Sequence, residues 1–531
     1  MLSLAAEFDV VVYGSTSAGI ASAIQSARLG NTVALISPHE HIGGIQVEGL
    51  GASDIDSQAD FSNGPVVRGL ALEFHHRISS HYGRLDQLNH AISQKIKDPT
   101  VWRFESRVAE KVIEEWLDEH SSIKVIKGLL ATSDAVSRID NQIRSVQLSD
   151  GRTVSGKVFI EASYEGDFLA AAGISTAYGR ESSSTYGESL AGVRDDTKYT
   201  QLAVPVDPYN IPGNPASGVI YGVSDEAFGN PGDGDKHLAA FSFRLPLTNS
   251  PDNRLPLYKP EGYDPKHFEL HRRYVRAGGK FFHPNVRIPG SKTDLIGSES
   301  PLATDLLGLN DDWITASPAG RQELLERSAL FTQGFLYFLS HDESLPIEFR
   351  DHWSNFGYCL DEFPDNNHFP RAMYIRDGRR LVSDYIITQA EASKFPQRPQ
   401  VHDPIAVAFW PPDTHCARRV VRDGKAYNEG FVFKDLPWRP FGIAYRALVP
   451  KRAEAINVLA ATCVSSSHVA YGAVRIEHQF YALGQACANA ADIAIKASIP
   501  LQEVPYAELR ARLLGQDVVV DADTVGLPED E

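Results

Sequence analysis

Cysteine is scarce: Cys359, Cys416, Cys463 and Cys487 are the only four in 531 residues, and no two form a Cys-x-x-Cys pair. That sparsity excludes a disulfide scaffold and argues against a redox disulfide or a zinc knuckle, so no metal site is expected. Positive charge is in deficit, with 51 Lys and Arg against 68 Asp and Glu and a net charge of −17. A chain so acidic does not have a nucleic-acid backbone or an anionic membrane surface as its main partner. There is no run of about 18 apolar residues, the length a spanning helix needs. Met1 to Glu7 lack a basic n-region and a long apolar segment, so no signal peptide is expected and a cytoplasmic location follows by default. Internal repeats and low-complexity tracts are missing too.

What is there reads as an ordinary globular chain, 43% hydrophobic and 22% charged. At roughly 150 residues per domain it holds about two to four cores. Phe8 to Tyr13 (FDVVVY) is an apolar run typical of a buried parallel strand. A turn from Gly14 to Gly19, a helix over 19–29 and a second strand over Thr32–Ile36 complete a β-α-β unit. A helix over 107–119 leads into alternating runs through Val125, Ile126, Ile139, Ile143, Val146 and Leu148. With the strand Val154–Ala162 these predict a small β-meander. The middle, about 195–440, is rich in Pro, Gly, Asn and aromatics, with a loop-like stretch at 205–235 and helical patterns near 318–340 and 376–393. A buried strand over 456–461 and a long small-residue helix over 475–497 follow, and residues 515–531 read as an acidic, partly ordered tail.

The turn Gly14-Ser15-Thr16-Ser17-Ala18-Gly19 lies between a strand and a helix, the setting the dinucleotide fingerprint needs. Gly14 permits the tight turn, Gly19 lets helix and strand approach, and the helix N-terminus offers N–H groups and a positive dipole end to a pyrophosphate. Two departures stand out. Thr16 replaces the middle glycine, narrowing the approach while offering a hydroxyl. The second strand ends at Ser37, where an acidic residue would hold the ribose; either Glu40 or a serine hydroxyl substitutes, or ribose binding is looser. A plain structural turn and a nicotinamide cofactor stay open at this point.

Further glycine-rich segments, His41-Ile42-Gly43-Gly44 and Glu48-Gly49-Leu50-Gly51, would let backbone pass edge-on to a flat ring system. Together with EASYEGDFLAAAG, YGRES, YIRDGRR (374–380) and SSSHVAYGAVRIEHQFYALGQACANAA, they make the chain resemble the FAD-dependent oxidoreductases of the succinate dehydrogenase/fumarate reductase-like superfamily, in a branch labelled xanthan lyase-like. The resemblance runs from residue 8 to about 515. It implies FAD as cofactor and an α/β fold: a Rossmann-like, glutathione reductase-like domain of three ββα layers, with an inserted α+β substrate or cap domain. The implied division is 1–190 plus 440–510 for FAD, 191–439 for the insert and 511–531 for the acidic tail. The 475–491 helix would point its N-terminus at the flavin pyrimidine. The cofactor set so implied is Gly14, Thr16, Ser17, Ala18, Gly19, Ser37, His41, Gly43, Gly44, Gly49, Gly51, Ala131, Ala162, Asp167 and Gly484. His41 lies near where related dehydrogenases carry a flavin-linking histidine, so a covalent bond and simple packing beside the ring are the two alternatives.

Only one dinucleotide fingerprint is present, which disfavours reductases that also bind NADPH. Hydride transfer to flavin N5 needs a base and donors for developing charge. Candidates are His415, near Asp413, Arg418 and Arg419, and His468, in the loop feeding the last long helix. Arg475 could act on flavin or substrate, or pair with Glu477 along that helix. Arg376 and Arg380, i and i+4 on the expected helix, would share a face with Arg379 nearby, binding a substrate carboxylate or pairing with Asp377 or Glu362. Tyr164 and Asp167 either touch the dinucleotide or end a strand. Phe409, Trp410, Trp438 and Phe441 suggest an apolar or ring-bearing substrate, though sugar stacking uses the same residues. The leading expectation is an FAD oxidoreductase acting on a small organic substrate, a natural-product intermediate or a sugar-like compound, with oxygen or another acceptor reoxidising the flavin. Alternatives are a monooxygenase, a lyase or isomerase without net redox change, and a non-catalytic flavin-binding module; self-association into a homo-oligomer is left open.

Overall fold

The computed structural model describes residues 2–3, 7–132, 134–394 and 399–526. β1 (Phe8–Tyr13), α1 (Ser17–Arg28) and β2 (Val33–Ser37) form the predicted β-α-β unit. α2 (Ser106–Asp118) buries Val108, Ala109, Val112, Ile113 and Trp116 along one stripe and leads into β3 (Ile123–Lys127). The meander is β4 (Val136–Ile139), β5 (Gln142–Gln147) and β6 (Arg152–Glu161). β6 is long enough to serve two pairings. Its first half is antiparallel to β5 and its second half parallel to β1. Much later in the chain, β7 (Val458–Ala460) joins β6 in parallel. The sheet therefore runs β3-β2-β1-β6-β5-β4, with β7 also on β6.

Alternation along β1 assigns its side chains to two layers. Val10 and Val12 enter the core shared with the helices, while Val11 and Tyr13 enter a second core with Ile143, Val146 and Phe159 beneath the meander. The result is a sheet covered by helices on one face and by strands on the other. Between β6 and β7 the chain builds a separate aromatic core around Phe268, Phe335, Phe338, Trp353 and Tyr358. Its main helix is α3 (Pro318–His341), capped by Ser317, whose side chain accepts from the Gly320 amide. After β7 come α4 (His468–Val474) and α5 (Glu477–Ala497). α5 packs on α1 so closely that a Cβ on Gly484 would lie 2.2 Å from the Ala18 carbonyl oxygen.

Four sequence expectations differ. Residues 376–393 are not one helix: Arg380–Leu381 is a strand paired with Thr176–Ala177, and only Gln389–Ala392 is helical. Here the chain runs against the turn after β6, where a Cβ on Gly378 would lie 2.0 Å from the Tyr164 carbonyl oxygen, and the backbone groups of Arg380 and Leu381 go to strand pairing instead of a helix. Within 205–235 a hairpin forms from Tyr209–Ile211 and Asn214–Val219. Of the apolar positions in the alternating runs, Val125 and Ile139 face outward, 37% and 59% exposed. The tail does not begin at 511: helix Tyr506–Gly515 crosses that point, and Val518 and Val520 join the main core because both are apolar. Residues 527–531 lie outside the described residues. No described helix is long and apolar enough to cross a membrane.

Candidate functional site

At the end of β1 the chain turns at Gly14 with φ +104°, and a Cβ there would sit 2.3 Å from the Ala162 carbonyl carbon. Glycine is required on both counts. Thr16 then caps α1; its hydroxyl donates to the Ala162 carbonyl at 2.7 Å and accepts from the Gly19 amide at 3.5 Å. That hydroxyl proton is engaged by the protein, so what Thr16 offers a phosphate is its backbone N–H. The N–H groups of Ser15, Thr16 and Ser17 have no acceptor among the described residues, which leaves the positive end of α1 as an anion site.

This turn opens into a cavity of about 870 Å³, within the range of cofactor sites. It is lined by Pro38, His39, Leu130 and Ala131, past the ends of β2 and β3, and by Gly44, Ile45, Glu48, Met373 and Ile375. The segment preceding and opening α3, Trp313 to Pro318 with Arg321, supplies an outer wall. Of the expected cofactor residues, Gly14, Thr16, His41, Gly44, Ala131 and Asp167 line the cavity. Ser17, Ala18, Gly19, Ala162 and Gly484 are buried in the packing of turn, α1 and α5 beside it. Gly43, Gly49 and Gly51 are buried away from its surface; Gly43 donates its amide to the Ser15 carbonyl at 2.9 Å, clasping the two glycine segments together. Ser37 is fully buried, its hydroxyl bonded to that of Ser15 at 2.8 Å and donating to the His39 carbonyl at 2.6 Å, so it presents nothing to a ribose. Glu40 sits on the rim, mostly exposed and paired with Lys127 at 2.8 Å.

His41 is held at both ring nitrogens, by Glu110 at Nδ1 and by Asp365 at Nε2, 2.9 Å away. Glu477, the first residue of α5, accepts from the Ser17 hydroxyl and, at 2.8 Å, from the Tyr164 hydroxyl. Tyr164 in turn accepts from the Ile45 amide at 3.1 Å. Burial pushes the Glu477 carboxyl up to about 7 despite these donors. One carboxyl thus ties the phosphate turn, the glycine turn and the end of β6 to α5.

None of the four catalytic candidates lines the large cavity. Met373 and Ile375 face it, and Tyr374 between them turns the other way, packing on Ile45 and Leu50. Behind Tyr374 three of the four converge. Arg475 donates to the Tyr374 hydroxyl at 3.1 Å, Arg376 lies 4.7 Å from the same ring, and Asp305 bridges Arg376 at 3.7 Å to His415 Nδ1 at 2.6 Å. The partner of His415 is Asp305, 110 positions away, and not Asp413, whose carboxylate accepts from Trp410. Burial, with the nearby Arg376 charge, lowers the His415 pKa, so the imidazole is neutral near pH 7. A carboxylate on Nδ1 fixes the proton there and leaves Nε2 as an acceptor.

Other expected pairings change as well. Arg475 donates to the Asp413 carbonyl at 2.9 Å and makes no ion pair with Glu477. Arg376 and Arg380 share no face: Arg376 donates to Ala240 and Ile296 carbonyls, Arg380 to Asp377 and Glu181. Glu362 holds Lys292 instead of an arginine. Arg418 and Arg419 turn to Glu429 and Asn428. His468 stands apart, its Nδ1 3.1 Å from Asp377. Phe409, Trp410 and Trp438 pack around Phe61, and Phe441 lies in the main core, so these aromatics are structural. Glu165 and Arg321 line the cavity without having been singled out from sequence. The Ser317-Pro318 cap signature locates Arg321 in the first turn of a helix, but nothing local says what that turn faces.

Residues 9–513 match the family described as FAD dependent oxidoreductase. Among curated proteins none matches the chain. Of the solved structures, GidA of Aquifex aeolicus is similar over 34% of this chain and 33% of its own, at 16% identity and TM-score 0.21. L-proline dehydrogenase from P. horikoshii is similar over 33% and 58%, at 16% identity and TM-score 0.25. L-amino acid deaminase from Proteus vulgaris is similar over 34% and 54%, at 15% identity and TM-score 0.24. The chain thus covers a third of the first of these structures and little over half of the other two.

Proposed function

The chain belongs to the FAD dependent oxidoreductase family, and from that premise we propose that it transfers hydride between a small organic substrate and FAD seated in the cavity at the phosphate turn. The observation that carries this reading is the cavity itself. It is large enough for a dinucleotide and takes in both the unpaired amides of Ser15 and Thr16 and the start of the glycine turn at Gly44 and Ile45. The cradle around Gly14, which a single Cβ would fill, fits the same group. Bound FAD supplies a hydride acceptor that no side chain provides.

The chain's own residues supply the rest. Ser15 and Thr16 amides hold the diphosphate, and Tyr164 with Glu477 stiffens the glycine turn. His415, oriented by Asp305, accepts a substrate proton at Nε2. Arg475, Arg376 and the Tyr374 hydroxyl orient the substrate's oxygen or nitrogen and stabilise charge developing there. Our finer reading keeps the succinate dehydrogenase/fumarate reductase-like branch, a nucleotide part from 1–190 plus 440–510, and an insert over 191–439. The substrate is a natural-product intermediate or sugar-like compound, and oxygen or a second acceptor reoxidises the flavin.

The test is anaerobic. Purified protein should be yellow, and a compound that is its substrate should bleach the flavin without NADPH. Oxygen consumption that requires NADPH and yields a hydroxylated product would favour a monooxygenase instead. A product equal in mass to the substrate would indicate a lyase or isomerase, and flavin that no small molecule reduces would indicate a binding module.

A further inference from the structure

The ribose carboxylate expected at the end of β2 is missing, and Ser37 cannot replace it because its hydroxyl is consumed by Ser15 and His39. We propose that the adenosine half of FAD is bound instead by Glu165, just past β6, together with Arg321 of α3; this rests on reading the cavity as the FAD site.

Glu165 is 8% exposed and lines the cavity. Its carboxylate makes no hydrogen bond or ion pair with any described residue, although its carbonyl accepts from Arg379 at 3.2 Å. That carboxylate lines the cavity with no side-chain donor of its own, and the hydroxyl pair of a ribose would supply donors. Arg321 is rigidly aimed at the same compartment. Its Nη2 donates to Asp167 at 2.9 Å, its Nη1 to the other Asp167 oxygen, and its Nε to the Trp313 carbonyl at 2.8 Å. Arg379 takes Asp167 as well, at 2.7 Å. Asp167 is thus engaged by both arginines, while each guanidinium keeps N–H groups for acceptors such as ring nitrogens or phosphate oxygens.

Position selects the adenosine end. Phe168, three residues past Glu165, packs 6.4 Å from the Tyr13 ring, and Leu130 packs against the same apolar cluster. Leu130 and Pro38, just past β3 and β2, line the cavity as well, beside the strand end where a ribose carboxylate was expected. The adenosine subsite is thus divided between the nucleotide fold and the segment inserted into it.

The experiment compares wild type with Glu165→Gln and Arg321→Leu. FAD release from purified holoprotein is followed by flavin fluorescence, and flavin-stripped protein is titrated with ADP and with FMN. Losing one charge-assisted contact should speed FAD release and weaken ADP binding by roughly ten-fold, with FMN affinity unchanged within about two-fold. ADP binding unaltered in Glu165→Gln, or FMN weakened as much as ADP, overturns the assignment. Glu165→Gln is isosteric and keeps the test decisive even if Arg321→Leu fails to fold. Wild-type protein that takes up no FAD overturns the cofactor reading itself, and is told apart from the first failure by its lack of colour.

Discussion

The Tyr164 hydroxyl donates to the Glu477 carboxyl at 2.8 Å, joining residues 313 apart in the chain. Burial raises the Glu477 pKa from 4.5 to about 7. The folded state therefore favours the protonated acid, and the stability this contributes is complete below the ordinary value and lost as pH rises through about 7. Glu477→Gln removes the titration while keeping an acceptor for Tyr164. The stability of the variant relative to wild type should grow by roughly 1.4 kcal/mol per pH unit across that window. Denaturant titrations from pH 5 to 8 with a constant difference would rule this out.

Helix α5 meets α1 at Gly484, and the atom nearest an added Cβ, the Ala18 carbonyl oxygen at 2.2 Å, is backbone that cannot swing aside. Gly484→Val should destabilise by about 1–3 kcal/mol or more. Gly515→Ala, at an open position, is the control. Equal denaturation midpoints for the two variants would contradict the packing described.

Lys292 is fully buried and bonded to Glu105 at 2.7 Å and Glu362 at 2.8 Å. Lys292→Met strands two buried carboxylates and should cost about 3–5 kcal/mol, far more than its lost packing. Adding Glu105→Gln and Glu362→Gln should restore part of the loss. A single variant within about 1 kcal/mol of wild type would show the cluster to be solvated.

His415 carries the proposed base, with Asp305 holding its other nitrogen. His415→Gln should slow flavin reduction by roughly 10²–10⁴ while leaving flavin content unchanged. Because burial lowers the imidazole pKa below 6.5, the acid limb of the rate should lie below that pH, and Asp305→Asn should move it lower still. A limb above pH 6.5 would remove His415 from the role.

Both nitrogens of His41 are engaged by carboxylates, Asp365 at 2.9 Å and Glu110. Neither is free to bond a flavin, so acid precipitation should release all flavin into the supernatant. Colour that stays with the pellet would mean a covalent link.

The β-α-β unit, the meander and the α5 helix followed from the chain alone, because strand and helix periods and the glycines at 14, 19 and 484 are local signals that buried packing then reinforces. Tertiary structure alone decided which reactive groups meet. His415 found Asp305 instead of Asp413, Arg376 and Arg380 parted because Arg380 joined a strand instead of a helix, and Glu165 came to share a cavity with Arg321. Short-range spacing determines the conformation of a segment. Contacts between residues a hundred or more positions apart depend on how whole layers pack, which no single stretch of sequence encodes.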